Sequence, residues 1–131
     1  MNNWKYKIDI SSLDVFDEIE KEYGITIPKE IREFIAAHNG ATPEKYHFMI
    51  GTTEKVFGAV LSVNKGETDT DTIFTALRTI GSKELIPFAI DPFGNYICFS
   101  NAEESIVFWD HENDGKFKTG LSLKDFITSL Y

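Results

Sequence analysis

Residues 85–110 read LIPFAIDPFGNYICFSNAEESIVFWD. Three apolar runs stand in this stretch, Leu85 to Ile90, Tyr96 to Phe99 and Ser105 to Asp110, each short and rich in β-branched and aromatic residues as a strand is. Only Asp91-Pro92-Phe93-Gly94-Asn95 separates the first two, and Pro92 with Gly94 suits a tight hairpin connection. A polar break precedes the third run. Connections this short join antiparallel neighbours, so the three runs are predicted to lie side by side in one sheet. A further turn at Asn113-Asp114-Gly115 leads into Lys116 to Lys118. In the first turn Gly94 is expected at positive φ, with Asp91 or Asn95 bonding local amides, which makes these three residues a structural turn.

Working outward, Ser122 is predicted to cap a last helix carrying Leu123, Phe126, Ile127 and Leu130. Upstream, Asn64 to Thr72 is polar and acidic, and Asp69 or Asp71 is expected to cap a helix with Ile73, Phe74, Leu77 and Ile80 on its apolar side, ended by Gly81. Val56 to Val63 reads as one strand; Tyr46, Phe48 and Ile50 alternate with His47, Met49 and Gly51 as another. Two helices open the chain. Ser11 or Ser12 caps the first, with Leu13, Phe16, Ile19, Glu20 and Tyr23 at roughly helical spacing and Gly24 as a left-handed end. Pro28 opens the second at its first helical position, followed by Ile31, Phe34, Ile35 and His38, and Asn39-Gly40 stops it. The whole predicts an α+β fold: an antiparallel meander sheet with helices packed around it.

At 131 residues the chain has the size of one domain, covering residues 1–131, and its 42% hydrophobic content is enough to offset chain entropy by burial. Lys5, Lys7, Asp9, Asp14, Asp17 and Glu18 interrupt the first twenty residues, which excludes a secretory signal as written, and no later stretch approaches the length of a membrane span. Cys98 is the single cysteine, so no intramolecular disulfide can form, and the cytoplasm is the expected location. Net charge is −8, and its distribution is uneven: between Lys83 and Lys116 there is no Lys or Arg, while Glu84, Asp91, Glu103, Glu104, Asp110, Glu112 and Asp114 are all acids. Such a field repels nucleic acid and attracts basic partners.

Catalytic and metal chemistry find little support. Asp110, Glu112, Asp114 and Gly115 imitate the start of a calcium loop, but the position that needs a bidentate Glu holds Leu121, so the run reads as a solvated hairpin tip. One Cys and the separated His38, His47 and His111 give no zinc spacing. His38 lies in the last turn of a helix, where positive charge is favourable. A Cys98 nucleophile with His111 as base competes with a buried, inert thiol inside an apolar strand. No nucleophile elbow, phosphate-binding Gly-rich loop or dinucleotide fingerprint occurs. No metal or cofactor is expected.

The order of signals resembles the SUKH superfamily, which includes bacterial immunity proteins and the fungal Smi/Knr-type cell-wall regulators. The resemblance runs from about Leu13 to Leu130. It is carried by Ile27-Pro28 leading through Phe34 to Asn39-Gly40, by Ile86-Pro87-Phe88-Ala89 with Asp91, Gly94 and Asn95 before Ile97-Cys98-Phe99, and by Val107-Phe108-Trp109-Asp110-His111. Ile27 and Ala41 depart mildly from the family, which often has Leu before the Pro and a further Gly after Asn-Gly. The resemblance implies no shared catalytic residues. It implies an immunity protein that neutralises a cognate toxin, commonly a nuclease. A nuclease must cradle phosphates with Lys and Arg, so an acidic surface can occupy the same groove. The expected contact residues are Glu103, Glu104, Asp110, Glu112 and Asp114, joined by Glu67, Asp69 and Asp71. Two other readings stay open: a regulatory scaffold binding endogenous partners, and a hydrolase using Asp91 or Asp110.

Overall fold

Strands that are apolar at nearly every position have no polar side to turn to water, so both of their faces must be covered. A computed structural model describes residues 2–131 and shows how this is done. In chain order the elements are β1 (Trp4–Lys5), α1 (Val15–Tyr23), α2 (Lys29–His38), β2 (Thr42–Pro43), β3 (His47–Ile50), β4 (Thr53–Val56) and β5 (Ala59–Val60). Then follow α3 (Ile73–Ile80), β6 (Leu85–Ile90), β7 (Tyr96–Ser100), β8 (Ser105–Asp110), β9 (Gly115–Lys118) and α4 (Leu123–Ser129). The main sheet is antiparallel in the order β5-β6-β7-β8-β9, with β1-β2 and β3-β4 as separate two-stranded pairs. Ile97 faces Phe108 and Cys98 faces Val107, so the predicted meander is present. No helix among the described residues is long and apolar enough to cross a membrane.

Side chains alternate across each strand, which puts Ile97, Phe99, Ile106 and Phe108 on one face and Tyr96, Cys98, Val107 and Trp109 on the other. Phe48 of β3 covers the first face, its ring centroid 6.1 Å from Phe108 and 5.1 Å from Phe126 of α4. On the second face α3 packs against β6, and its Thr79 hydroxyl reaches the Tyr96 side chain. Phe48, Phe57, Phe88, Phe108 and Phe126 are all fully buried, each worth about 1.5–3 kcal/mol of transfer free energy. Pro87 lies in β6 beside a register shift between Pro87 and Ala89; a proline, which cannot donate to the ladder, is tolerated in an inner strand at such a bulge.

Several local expectations change. Val56 to Val63 is not one strand: β4 ends at Val56 and β5 belongs to the main sheet. The break is at Gly58, whose amide bonds the Ile90 carbonyl at 2.9 Å and where an added Cβ would lie 2.6 Å from that same oxygen. Only glycine lets the chain cross so closely from the hairpin into the sheet. The first helix is capped at Asp14, not by Ser11 or Ser12; the Ser12 hydroxyl instead accepts from the Asp14 amide, and Leu13 is 69% exposed rather than part of the apolar stripe. Pro28 stands at the cap of α2, one position earlier than expected. Neither Asp69 nor Asp71 caps α3: the strand-like bridge to Ser62 lets the Ser62 carbonyl accept the Ile73 amide at 3.0 Å, so the first helical donor is already satisfied. Gly24 and Gly81 do end their helices in left-handed conformation, and Ser122 accepts the Asp125 amide at 3.1 Å.

Candidate partner-binding surface

Two turns meet at one end of the main sheet. Asp91 follows β6 and is 4% exposed; its Oδ1 accepts from the Phe93 amide at 2.9 Å and the Asn95 amide at 2.8 Å, and its Oδ2 accepts from Asn95 Nδ2 at 2.9 Å. This fixes which way the Asn95 amide points. Its Oδ1 then accepts from the His111 backbone at 3.0 Å and from His111 Nδ1 at 2.6 Å, so Nδ1 carries the proton in this bond. Gly94 has φ +88°, which closes the turn. The connected groups tie the 91–95 turn to the turn between β8 and β9.

That second turn is also built from its own side chains. Asp110 Oδ1 accepts from the Glu112 amide at 2.9 Å, Asn113 Oδ1 accepts from Gly115 at 2.8 Å, and Asp114 accepts from Trp109 Nε1 at 2.5 Å while sitting at φ +54°. Lys55, Phe93, Asn95, Asp110, His111 and Glu112 together line an open hollow of about 440 Å³. Phe93 at its rim is 71% exposed. On the adjoining edge strand, Phe117 is half-exposed and packs 6.4 Å from Phe108.

The acids expected to act together fall into three places. Asp110, Glu112 and Asp114 share the end just described. Glu103 and Glu104 lie in the turn between β7 and β8, at the other end of a six-residue strand and so about 20 Å away. Glu103 is also paired with Lys118 at 2.9 Å. Glu67, Asp69 and Asp71 belong to the loop beyond β5, the edge strand opposite β9. Glu67 there accepts from the Ser62 hydroxyl and the Asp69 amide. Nor is the base-free stretch free of bases in space: Lys116 and Lys118 flank it on β9, and Lys55 arrives from β4 with its Nζ 5.0 Å above the Phe108 ring.

The other chemical candidates are placed as well. Cys98 is fully buried, burial pushes its thiol far up, and its cross-strand neighbour is Val107, while the His111 ring is engaged by Asn95. The Cys98–His111 pair does not exist. Asp91 is committed to three donors of its own turn. No group of three or more metal-capable side chains occurs among the described residues. His38 is not held as a cation at its helix end: burial, reinforced by Lys7, lowers its pKa, and it packs against Trp4 at 4.6 Å and Phe34 at 4.8 Å. Phe93, His111 and Lys55 were absent from the expected contact set. Phe93 alone had a readable signal, because an aromatic between Pro92 and Gly94 in a tight turn has no interior to face.

Residues 11–129 match the family model described as the SMI1 / KNR4 family (SUKH-1). No curated protein matches the chain.

Proposed function

The chain belongs to the SMI1 / KNR4 family (SUKH-1), and from that premise we propose that it is an immunity protein that binds and neutralises a cognate toxin with a basic, nuclease-like domain. In this reading it acts in the cytoplasm of the cell it protects and needs no chemistry of its own. The observation that carries the proposal is the end of the sheet where Asp110, Glu112 and Asp114 project from a hairpin that Asp91, Asn95 and His111 brace. A phosphate-binding groove is lined with Lys and Arg; fixed carboxylates compete for it with nucleic acid and speed the encounter. Glu103, Glu104, Glu67, Asp69 and Asp71 stand outside this footprint. Glu103 and Glu104, a strand length away, lie more than two Debye lengths, about 8 Å each at physiological salt, from it, so their share of the steering is small.

The test pairs this chain with a nuclease-like toxin domain sought in the reading frame beside its gene. Co-expression protects cells from that domain, and the combined Asp110→Asn, Glu112→Gln and Asp114→Asn variant slows association at low salt by about tenfold and flattens its salt dependence. Absence of both binding and protection overturns the immunity reading. Equal rates and salt slopes for variant and wild type remove the charge mechanism and leave apolar contacts as the source of affinity.

A further inference from the structure

The hollow at the acidic end is a place for one particular side chain. Of its two carboxylates, Asp110 has one oxygen occupied by the Glu112 amide, and Glu112 has no hydrogen bond or ion pair to its carboxylate among the described residues. Lys55, which lines the same hollow, is drawn over the Phe108 ring and forms no ion pair with either. Phe93 stands over the same hollow with most of its ring in water, contributing nothing to the core. Its backbone amide is held by Asp91, and the turn carrying it is bonded through Asn95 to His111, so the two turns that carry the ring and the carboxylates keep their relative positions without a ligand.

An exposed aromatic ring beside two unpaired carboxylates is the complement of a guanidinium. That group is planar, so it stacks on a ring; it is always charged, and its forked donors match carboxylate oxygens. A lysine would supply charge without the plane or the fork. An anion is repelled, and two carboxylates are too few for the cation coordination these residues would have to complete. Because the two turns are braced against each other, only side-chain freedom, and little of the backbone's, is lost on binding.

We propose that Phe93 and the hollow behind it form the anchor of the partner interface and receive one arginine side chain from the toxin surface, its guanidinium on Asp110 and Glu112 and its plane against Phe93. This deepens the immunity reading and rests on it for the partner's identity. Phe93 then governs how long the complex lasts, and the carboxylates govern both encounter and hold.

Two measurements test it. First, N-acetyl-arginine methylamide is titrated into the labelled protein and followed by amide NMR shifts. Shifts centred on Phe93, Asn95, His111 and Glu112, lost in Phe93→Ser and in Asp110→Asn/Glu112→Gln and weaker with the lysine analogue, support the proposal. Shifts elsewhere, none at all, or shifts that Phe93→Ser leaves intact overturn it. Second, against a toxin domain that the wild type neutralises, Phe93→Ser raises the dissociation rate about tenfold with association within about twofold of wild type. An unchanged dissociation rate overturns the proposal while protection by the wild type keeps the immunity reading standing. Arginine seated in the hollow with no toxin bound or neutralised has the opposite meaning: the arginine site stands and the immunity reading falls.

Discussion

Replacing Asp91 by alanine removes one acceptor group and strands three donors. The Phe93 amide is next to solvent and can recruit water at little cost. The Asn95 amide and Nδ2 are different, because Asn95 is 9% exposed and each donates to the same carboxylate at 2.8 and 2.9 Å. A hydrogen bond to a charged group contributes about 1.5–3 kcal/mol, and a buried donor left unpaired loses about as much, so the two together set a cost of about 3–6 kcal/mol. At about 2.1 cal/mol/K per residue, the unfolding entropy of 131 residues is about 0.28 kcal/mol/K, and the variant should melt about 11–21 °C below wild type. Asp91→Asn is the internal control. It keeps an oxygen for the backbone amides but sets an amide against Asn95 Nδ2, for about 1–2 kcal/mol. Thermal and urea unfolding monitored by circular dichroism give both numbers, with an unchanged m-value confirming that only stability moved. An Asp91→Ala protein within about 0.5 kcal/mol of wild type would refute the assignment of Asp91 as the organiser of this end of the sheet.

Two other perturbations separate backbone from charge. At Gly94 an added Cβ would come no closer than 3.7 Å to His111, so Gly94→Ala meets no steric obstacle and reports only the cost of φ +88°, about 1–2 kcal/mol; full retention of stability contradicts that. Glu20 accepts from the Ile27 amide at 2.7 Å and pairs with Arg32 at 2.6 Å, and chiefly that amide, then Arg32, lowers its pKa against an opposing desolvation. A lowered carboxylate pKa gives stability that is complete above the unfolded value, 4.5, and is lost as pH falls through the folded one. Urea midpoints measured downward from pH 6 should therefore fall less steeply for Glu20→Gln than for wild type, and identical slopes would rule out this contribution.

The meander could be read from residues 85–115 because its turns announce themselves: Pro92 and Gly94 permit one tight reversal, Asn113-Asp114-Gly115 another, and the apolar runs between them have nowhere to go but an interior. What escaped depends on partners distant in sequence. Ile73 needs no acidic cap because Ser62 reaches it, and Val56 to Val63 breaks because Gly58 must pass Ile90. That the acids fall in separate places has a geometric cause. Successive turns of a meander lie at opposite ends of the strand between them, so Glu104 and Glu112, close in sequence, point to different ends of the molecule. Lys55 enters the same region from a separate hairpin, and no window along residues 84–115 could contain it.

Pro87 has a bearing on what happens when this chain is not folded. Uncharged segments of β6, β7 and β8 are the kind that stack into cross-β fibrils when exposed, each layer bonding the next through every backbone amide. In β6 the proline interrupts that repeat at every layer, a gatekeeper placed inside the segment rather than beside it. β7 has no such guard: Tyr96 to Ser100 contains neither proline nor charge. Its protection is kinetic, since the turn of residues 101–104 joins it directly to β8, and hairpins of this kind close in about 1–10 μs, before chains at ordinary concentrations collide. Lengthening that turn would leave the folded sheet almost as stable and give a newly made chain more time to aggregate.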